Sequence, residues 1–226
     1  MAINKYKMVG SVLLAFGLWG NNIYGSVDAN GIDAFDAFQP PSREEELREE
    51  LRHAVSCAGQ TPGRLTYELA RAAKLIRLGA DFTSKNKEGE TLLFDASCPE
   101  VLVVLLCLPG IDIDAQNNEG DTALHADVSA YLYFLPDAFF AREEIRLLIK
   151  CKANPFLKNE EGKTPRQLLE EWKRKKEVLP LKKRPPNSGE ALADVSKTIQ
   201  ILRDAERKWA AAHSEWMAAH PECVVE

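Results

Sequence analysis

The sequence predicts an all-helical solenoid, in which repeated helix pairs stack in a line. A short phrase with Asn, Gly and Thr at constant offsets occurs three times, at residues 86–96, 117–126 and 159–165. A second pattern, an apolar helix end that leads into a turn, precedes each copy, at residues 75–81, 105–112 and 147–154. Repeats of this length form stacks in which each unit packs on its neighbours. We therefore expect an extended surface rather than a closed catalytic pocket.

The two patterns together resemble the ankyrin repeat family. The family's unit reads approximately D-x-x-G-x-T-P-L-H-x-A, followed by a second helix that ends in three apolar residues and then G-A-D. The resemblance covers residues 42–204 and implies about four helix-turn-helix units joined by hairpin turns, with a long helix at the C-terminus. The units are expected to occupy residues 42–84, 85–115, 116–157 and 158–204, and residues 205–226 form a C-terminal extension.

The repeated phrase has a local physical basis. Its glycines lie where a tight turn needs a positive φ, which costs glycine least: Gly89, Gly120 and Gly162. A threonine two residues later can cap the next helix through its hydroxyl: Thr91, Thr122 and Thr164. Pro165 suits the first position of a helix, where no amide hydrogen is needed. Each unit is therefore predicted to begin with a turn and continue as two helices.

Two positions depart from the family pattern. The first unit lacks the turn phrase, but Leu47, Leu51 and Val55 recur at helical spacing with an acidic opposite face, which predicts a terminal cap over Ser42 to Cys57. Lys152 replaces the glycine that usually ends the second helix. Either that turn is altered or a non-glycine residue adopts the left-handed conformation there, at a cost of about 1 kcal/mol.

Residues 1–25 have the features of a secretory signal. Lys5 and Lys7 precede an apolar run from Met8 to Gly20, and small residues suitable for cleavage follow near 25–29. The run is short for a membrane span, which needs about 20 residues. We expect a periplasmic or secreted protein without stable membrane insertion after cleavage. A buried N-terminal helix and an uncut leader that tethers the protein are the alternatives.

The charge balance limits the classes of partner. Removal of Lys5 and Lys7 with the leader changes the net charge from −5 to −7. This mild acidity argues against nucleic acid or an anionic membrane as the main target. A protein partner is therefore expected.

The cysteines and histidines do not form a recognisable metal or redox motif. Five cysteines leave at least one thiol unpaired within the chain, and Cys107 is predicted to be a small core residue at its helix end. His125 occupies the histidine position of the family phrase, which implies hydrogen bonds between neighbouring turns, and Phe94 and Gln167 occupy the matching positions. We expect no catalytic residue, cofactor or metal. The alternative is a weak metal-dependent or enzymatic site in the C-terminal extension that uses His213, His220 and Cys223.

The family resemblance implies partner binding at the turn tips and on the inner face of the first helices. The tip residues are Lys85, Lys87, Glu88, Gln116, Asn118, Glu119, Lys158, Glu160 and Glu161. Any one of them can equally be a soluble turn residue.

An insertion in the third unit is a further candidate for partner binding. Gly89 and Gly120 are 31 residues apart, whereas Gly120 and Gly162 are 42 apart, so about a dozen residues are added between the two helices, within 127–142. The insertion is rich in aromatic residues, which dominate the energetic centres of interfaces: Tyr131, Tyr133, Phe134, Phe139 and Phe140. These rings either complete a local core or contact a partner, and we expect both.

In the last unit, a long stretch replaces the usual short connection between the two helices. A basic stretch, Lys173 to Lys176 and Lys182 to Gly189, is either a contact for an acidic partner or a solvated loop. From Glu190 an apolar periodicity that reaches Trp209 and Trp216 predicts one long amphipathic helix, whose end folds back on the stack or binds elsewhere. Together these observations predict an exported, non-enzymatic protein-interaction module.

Overall fold

A computed structural model describes residues 42–59, 63–135, 138–178 and 188–220, and within these ranges the only regular structure is helical. The helices are α1 (Arg43–Ala58), α2 (Leu65–Arg77), α3 (Leu92–Asp95), α4 (Pro99–Leu106), α5 (Ala123–Phe134), α6 (Phe139–Lys150), α7 (Pro165–Glu177), α8 (Ser188–Ala212) and α9 (Ser214–Ala219). None of these helices has both the length and the apolar character needed to cross a bilayer. The predicted leader lies outside the described residues.

The helices pair and stack in chain order. The pairs are α1 with α2, α3 with α4, α5 with α6, and α7 with α8. The first helices of the pairs form one row in which α1 contacts α3, α3 contacts α5 and α5 contacts α7, and the second helices α4, α6 and α8 form another row. Each unit thus packs on its neighbours, and the predicted fold class, an ankyrin-repeat solenoid of about four units, is confirmed.

The turns between the units follow the repeated phrase. Gly89, Gly120 and Gly162 have φ angles of 77°, 72° and 71°, as predicted. Hydrogen bonds also join one turn to the next, because the amide of Asn118 donates to Glu88 O and the amide of Glu160 donates to Glu119 O, both at 2.9 Å. These bonds hold the turns in a continuous row along one edge of the stack.

The threonine caps differ among the units. Thr164 accepts a hydrogen bond from the Gln167 amide at 3.4 Å, and the Gln167 side chain accepts one from the Thr164 amide at 2.9 Å. Pro165 begins α7, as predicted. The buried Thr91 hydroxyl has no hydrogen-bond partner among the described residues, so the predicted side-chain cap is wrong for that threonine.

The first unit is a cap, as the sequence predicted. Ser42 precedes α1, accepts a hydrogen bond from the Glu45 amide at 3.2 Å and donates its own amide to the Glu45 carboxylate at 2.9 Å. Leu47, Leu51 and Val55 are buried in the core of the stack. A reciprocal cap of this kind fixes where the helix begins.

The insertion lengthens helices rather than the connection between them, which corrects the predicted location. Helices α3 and α4 have 4 and 8 residues, whereas α5 and α6 have 12 each. Only residues 135–138 lie between α5 and α6. At a rise of 1.5 Å per residue, the added turns extend the third unit by about 12 Å beyond the second.

The C-terminal segment folds back on the stack. The predicted long helix ends at Ala212, and α9 begins after a break at His213. Trp209 and Trp216 contact each other and Phe156, with ring centroids 4.9 to 6.1 Å apart. The break at His213 lets Trp216 contact the same Phe156 ring as Trp209, which one straight helix does not allow.

Two single-residue predictions have opposite outcomes. Lys152 has a φ of 68°, so a non-glycine residue does adopt the left-handed conformation at the end of α6. Cys107 is exposed at the end of α4, and its interpretation as a core residue is wrong. The buried residues of α4 are Val101, Leu102 and Leu105, and Cys107 follows Leu105 by two residues, which directs it away from that face.

Candidate protein-binding surface

The turn tips form an exposed row, but several of them also serve the fold. Lys85 donates from Nζ to Gln116 O at 2.8 Å, and Gln116 donates from Nε2 to Lys158 O at 2.9 Å. Asn118 donates from Nδ2 to Lys87 O at 2.9 Å. The tip side chains of Lys85, Gln116 and Asn118 therefore tie successive turns together.

The acidic tips are arranged differently. Glu88 and Glu119 contribute backbone carbonyls to the row of turns, and Glu160 contributes its amide. Their side chains are exposed. The row thus has a fixed backbone with carboxylates directed to solvent, which suits charge-dependent recognition more than an apolar contact.

His125 has the structural role that the sequence predicted. The ring is fully buried, Nδ1 accepts a hydrogen bond from the Thr122 amide at 3.2 Å, and Nε2 donates to Lys163 O in the next turn at 3.0 Å. Burial lowers the pKa of His125 below its ordinary value of 6.5. The neutral ring, with its hydrogen on Nε2, satisfies both contacts.

Tyr131 belongs to the core, which contradicts its predicted contact with a partner. Its side chain is 0% exposed, and its hydroxyl donates to Asp194 Oδ2 at 2.7 Å. Arg142 donates to the other oxygen of the same carboxylate at 2.6 Å. Burial raises the pKa of Tyr131, so the phenol remains protonated and fastens the long third unit to α8.

The other four aromatic residues of the insertion are exposed, and we name them the aromatic tip. The exposed fractions are 70% for Tyr133, 38% for Phe134, 60% for Phe139 and 56% for Phe140. They form two edge-to-face pairs with centroids 5.0 and 5.7 Å apart, one at the end of α5 and one at the start of α6. Large apolar side chains grouped on a surface mark an interaction site.

The aromatic tip and the row of turns are well separated. Helix α5 begins directly after Thr122, beside its turn, and runs 12 residues to Phe134, which is about 18 Å. The candidate surface therefore has two parts at opposite ends of the first helices.

The inner helices between the two parts include a residue that the sequence analysis missed. Trp172 on α7 is partly buried against the core together with Leu168, Ala126 and Ala130. The Lys176 ammonium lies 5.4 Å from the centre of the Trp172 ring, a cation–π geometry. The signal for this position was available, since Trp172 follows Leu168 by one helical turn on the same face.

An ion-pair cluster connects the third turn with α7. Lys163 contacts Glu161 at 2.7 Å and Glu171 at 2.5 Å, and Lys175 contacts the other Glu171 oxygen at 2.6 Å. Hydrogen bonds from Lys163 and Lys175 lower the pKa of Glu171 to about 2. The basic residues 173–176 lie within α7, whereas the second part of the predicted basic stretch, 182–187, lies outside the described residues.

The histidines of the C-terminal segment are used in packing. His213 stacks on Trp209 and His220 on Trp216, each with ring centroids 4.0 Å apart. Each His Nδ1 lies 2.9 Å from the carbonyl oxygen of its tryptophan. The described ranges contain no cluster of three or more residues suited to a metal ion, and Cys223 lies outside them.

The described cysteines are not paired with one another. Cys57 and Cys98 are buried, and Cys107 and Cys151 are exposed. Burial raises the pKa of both Cys57 and Cys98. Neither buried thiol is therefore activated as a nucleophile.

The comparisons with known proteins find solved structures similar to this chain but no matching family model. No curated protein matches it either. One similar solved structure is the crystal structure of the ankyrin repeat domain of Bcl-3, described as a unique member of the IkappaB protein family, with 25% sequence identity and a TM-score of 0.37. The match covers 46% of this chain and 42% of the other, less than half of either.

Proposed function

We propose that this protein is an exported, non-enzymatic interaction module that binds a partner protein through its aromatic tip, its inner helices and its row of turns. The observation that carries the proposal is the aromatic tip. Tyr133, Phe134, Phe139 and Phe140 are exposed on helices whose buried sides are held in place by the core. Solenoids commonly use such extended surfaces for protein recognition.

Rigid support makes these rings suitable anchors. Tyr131 precedes Tyr133 of the aromatic tip by two residues and donates a hydrogen bond to Asp194. Arg142, near the start of α6, donates to the same carboxylate. Aromatic anchors on a preorganised surface lose little conformational entropy on binding. A few of them can supply most of the affinity of an interface.

The titratable groups with the most perturbed surroundings form contacts within the fold, and they do not indicate a catalytic site. His125 ties two turns together, and Tyr131 ties two units together. Glu206 is buried, its pKa is raised by burial, and it accepts hydrogen bonds from Arg166 at 2.9 Å. Each of these groups is already used by the fold.

Affinity capture with matched variants tests the proposed surface. The full chain is used as bait in an extract of the source organism, and the Y133A, F139A and F140A variants are compared with Y67A. Tyr67 on α2 is 66% exposed, so its removal matches the loss of an exposed ring elsewhere on the stack. We expect capture to fall with the first three variants and to persist with Y67A; equal capture by all four would contradict the role of the aromatic tip.

Export is proposed from the leader. Cleavage near residues 25–29 predicts a mature protein that lacks Lys5, Lys7 and the apolar run. The mass of the purified protein from its native host and its distribution among cytoplasm, envelope and medium test this. An intact N-terminus in the cytoplasmic fraction would contradict export and leave the binding proposal in place.

A further inference from the structure

The third unit extends beyond the second at the aromatic tip. Thr91 and Thr122 precede α3 and α5 at matching positions, so Asp95, the last residue of α3, lies level with Ala126. Helix α5 continues for eight residues to Phe134, about 12 Å further. In the row of first helices, this overhang has α7 on one side and the shorter α3 on the other.

A basic rim lies on α7 beside the overhang, and we define it as Lys175 and Lys176. These lysines follow their capping threonine by the same numbers of residues as Tyr133 and Phe134 follow theirs. Since α5 and α7 are in contact, the two pairs lie at the same height on neighbouring helices. Packed helices have axes about 8–10 Å apart, which a single bound peptide segment can span.

The basic rim keeps positive charge available to a partner. Lys175 shares Glu171 with Lys163, so one carboxylate serves two ammonium groups, and its side chain is still 70% exposed. Lys176 directs its ammonium to the Trp172 ring rather than to a carboxylate. A carboxylate from a partner would therefore meet positive charge next to exposed aromatic rings.

We propose that the overhang binds an acidic segment of the partner protein. An apolar side chain of the segment packs against Tyr133 and Phe134, and carboxylates on either side of it meet Lys175 and Lys176. This inference rests on the proposed function and specifies the chemistry of the partner. Central apolar anchors with charged contacts around them are the usual division of an interface, since the anchors supply affinity and the charges supply selectivity.

A protein segment fits the overhang better than an anionic membrane. The basic rim is local, whereas the whole chain has a net charge of −5, which repels an anionic surface at longer range. The same positive charges would attract either target, so the test must separate them.

Selection from a random displayed peptide library on the full-length protein tests the inference. We expect the enriched peptides to carry Asp or Glu around an aromatic or aliphatic residue. Synthetic copies of these peptides are then measured by fluorescence anisotropy against the wild type and K175E/K176E. The charge reversal should weaken binding at least about tenfold, and K175Q/K176Q should weaken it less.

A matched control separates local from overall charge. The K150E/K208E variant changes the net charge by the same amount, because Lys150 and Lys208 are exposed lysines on α6 and α8, away from the basic rim. Its affinity for the selected peptides should stay close to that of the wild type. Thermal melts followed by circular dichroism verify that every variant is folded.

The outcomes distinguish this inference from the proposed function. Enrichment of neutral or basic peptides would overturn the inference, and so would acidic peptides whose affinity is unchanged in K175E/K176E. In either case the module still binds peptides, so the proposed function stands. The absence of any enriched peptide also overturns the inference, and capture of a cellular partner then decides the proposed function separately. Binding to vesicles of phosphatidylcholine and phosphatidylserine in equal parts, lost in K175E/K176E, would assign the basic rim to a membrane instead.

Discussion

The second and third units show two ways to stabilise a helix pair within one stack. The second unit has only 4 and 8 helical residues, and Arg52 of the first unit fastens it by contacting Asp95 and donating to the carbonyls of Ser84 and Glu90. The third unit has two helices of 12 residues each, part of which lies beyond its shorter neighbour. In the third unit, Tyr131 and Arg142 donate hydrogen bonds to the Asp194 carboxylate on α8.

The difference shows where a repeat protein can acquire a binding surface. The short second unit buries Leu92, Leu93 and Val101 against its surroundings, and its exposed large apolar side chains are valines, Val103 and Val104, rather than a group of aromatic rings. A lengthened unit has faces with no neighbour at the same height. Helix α8 packs against one side of the extension through Asp194, whereas the aromatic tip stays exposed.

The largest effect is expected at Tyr131, where the long unit depends on α8. Y131A should lower the free energy of unfolding by about 3–5 kcal/mol, since it leaves a cavity in the core and removes a hydrogen-bond partner of the partly buried Asp194. Y133A, two residues away and exposed, should change it by about 0.5 kcal/mol or less. Urea unfolding of both variants measures the contrast, and similar values would show that α8 does not support the overhang.

The next effect is expected at a turn glycine that packs against the following turn. In G89A, the new Cβ would lie 2.8 Å from the Asn118 amide nitrogen, at a positive φ, and would disturb the bond to the next turn. We expect a loss of about 3 kcal/mol, from backbone strain and the disturbed hydrogen bond.

G162A is the control for that substitution. Gly162 has nearly the same φ, but a Cβ there meets no atom within 4 Å. G162A should therefore lose only the stability that backbone strain removes, about 1–2 kcal/mol. Equal losses in the two variants, measured by thermal or urea unfolding, would show that contact between turns adds nothing to the second unit.

The two units should also differ in their response to pH. Burial lowers the pKa of His125 in the third unit, so the unfolded chain binds a proton that the folded chain does not as pH falls below 6.5. The stability that neutral His125 contributes is fully present above pH 6.5. Below pH 6.5 the free energy of unfolding falls by up to about 1.4 kcal/mol per pH unit. Phe94 occupies the matching position of the second unit and does not titrate.

H125Q tests this assignment. Gln167, at the matching position of the fourth unit, shows that glutamine can bond the amide of the capping threonine. The variant should remain folded, and the difference in stability between wild type and H125Q should shrink as pH falls from about 6.5 to 5. A difference that is constant across this range would mean that His125 is not the titrating group.

The smallest effect is expected where the second helices end. Gly79 follows the last residue of α2 by two positions and has a positive φ of 98°, whereas Lys152 adopts φ 68° at the matching position after α6. K152G should raise stability by about 0.5 kcal/mol, because relief of strain exceeds the added entropy of the unfolded chain. K152A, which keeps the strain, is the control; a gain in K152A as large as that in K152G would contradict the explanation.

Most of the fold was predictable from short-range patterns. The positive φ values of Gly89, Gly120 and Gly162, the start of α7 at Pro165 and the role of His125 were all predicted from the repeated phrase. The binding surface was less predictable. Five aromatic residues were identified in the insertion, but which of them is buried depends on the position of α8. Trp172 was missed, although it follows Leu168 by one helical turn on the same face.

The sequence by itself determined the turns, the reciprocal cap at Thr164 and the order of the helix pairs, because each of these depends on residues within a few positions of one another. Only the tertiary structure decided the fate of Tyr131 and Tyr133, which are the same residue type two positions apart. One is fully buried and the other is 70% exposed. Asp194, which accepts the Tyr131 hydrogen bond, lies 63 residues further along the chain. The physical reason is that burial depends on which neighbouring helix reaches the same height in the stack, and local spacing carries no record of that height.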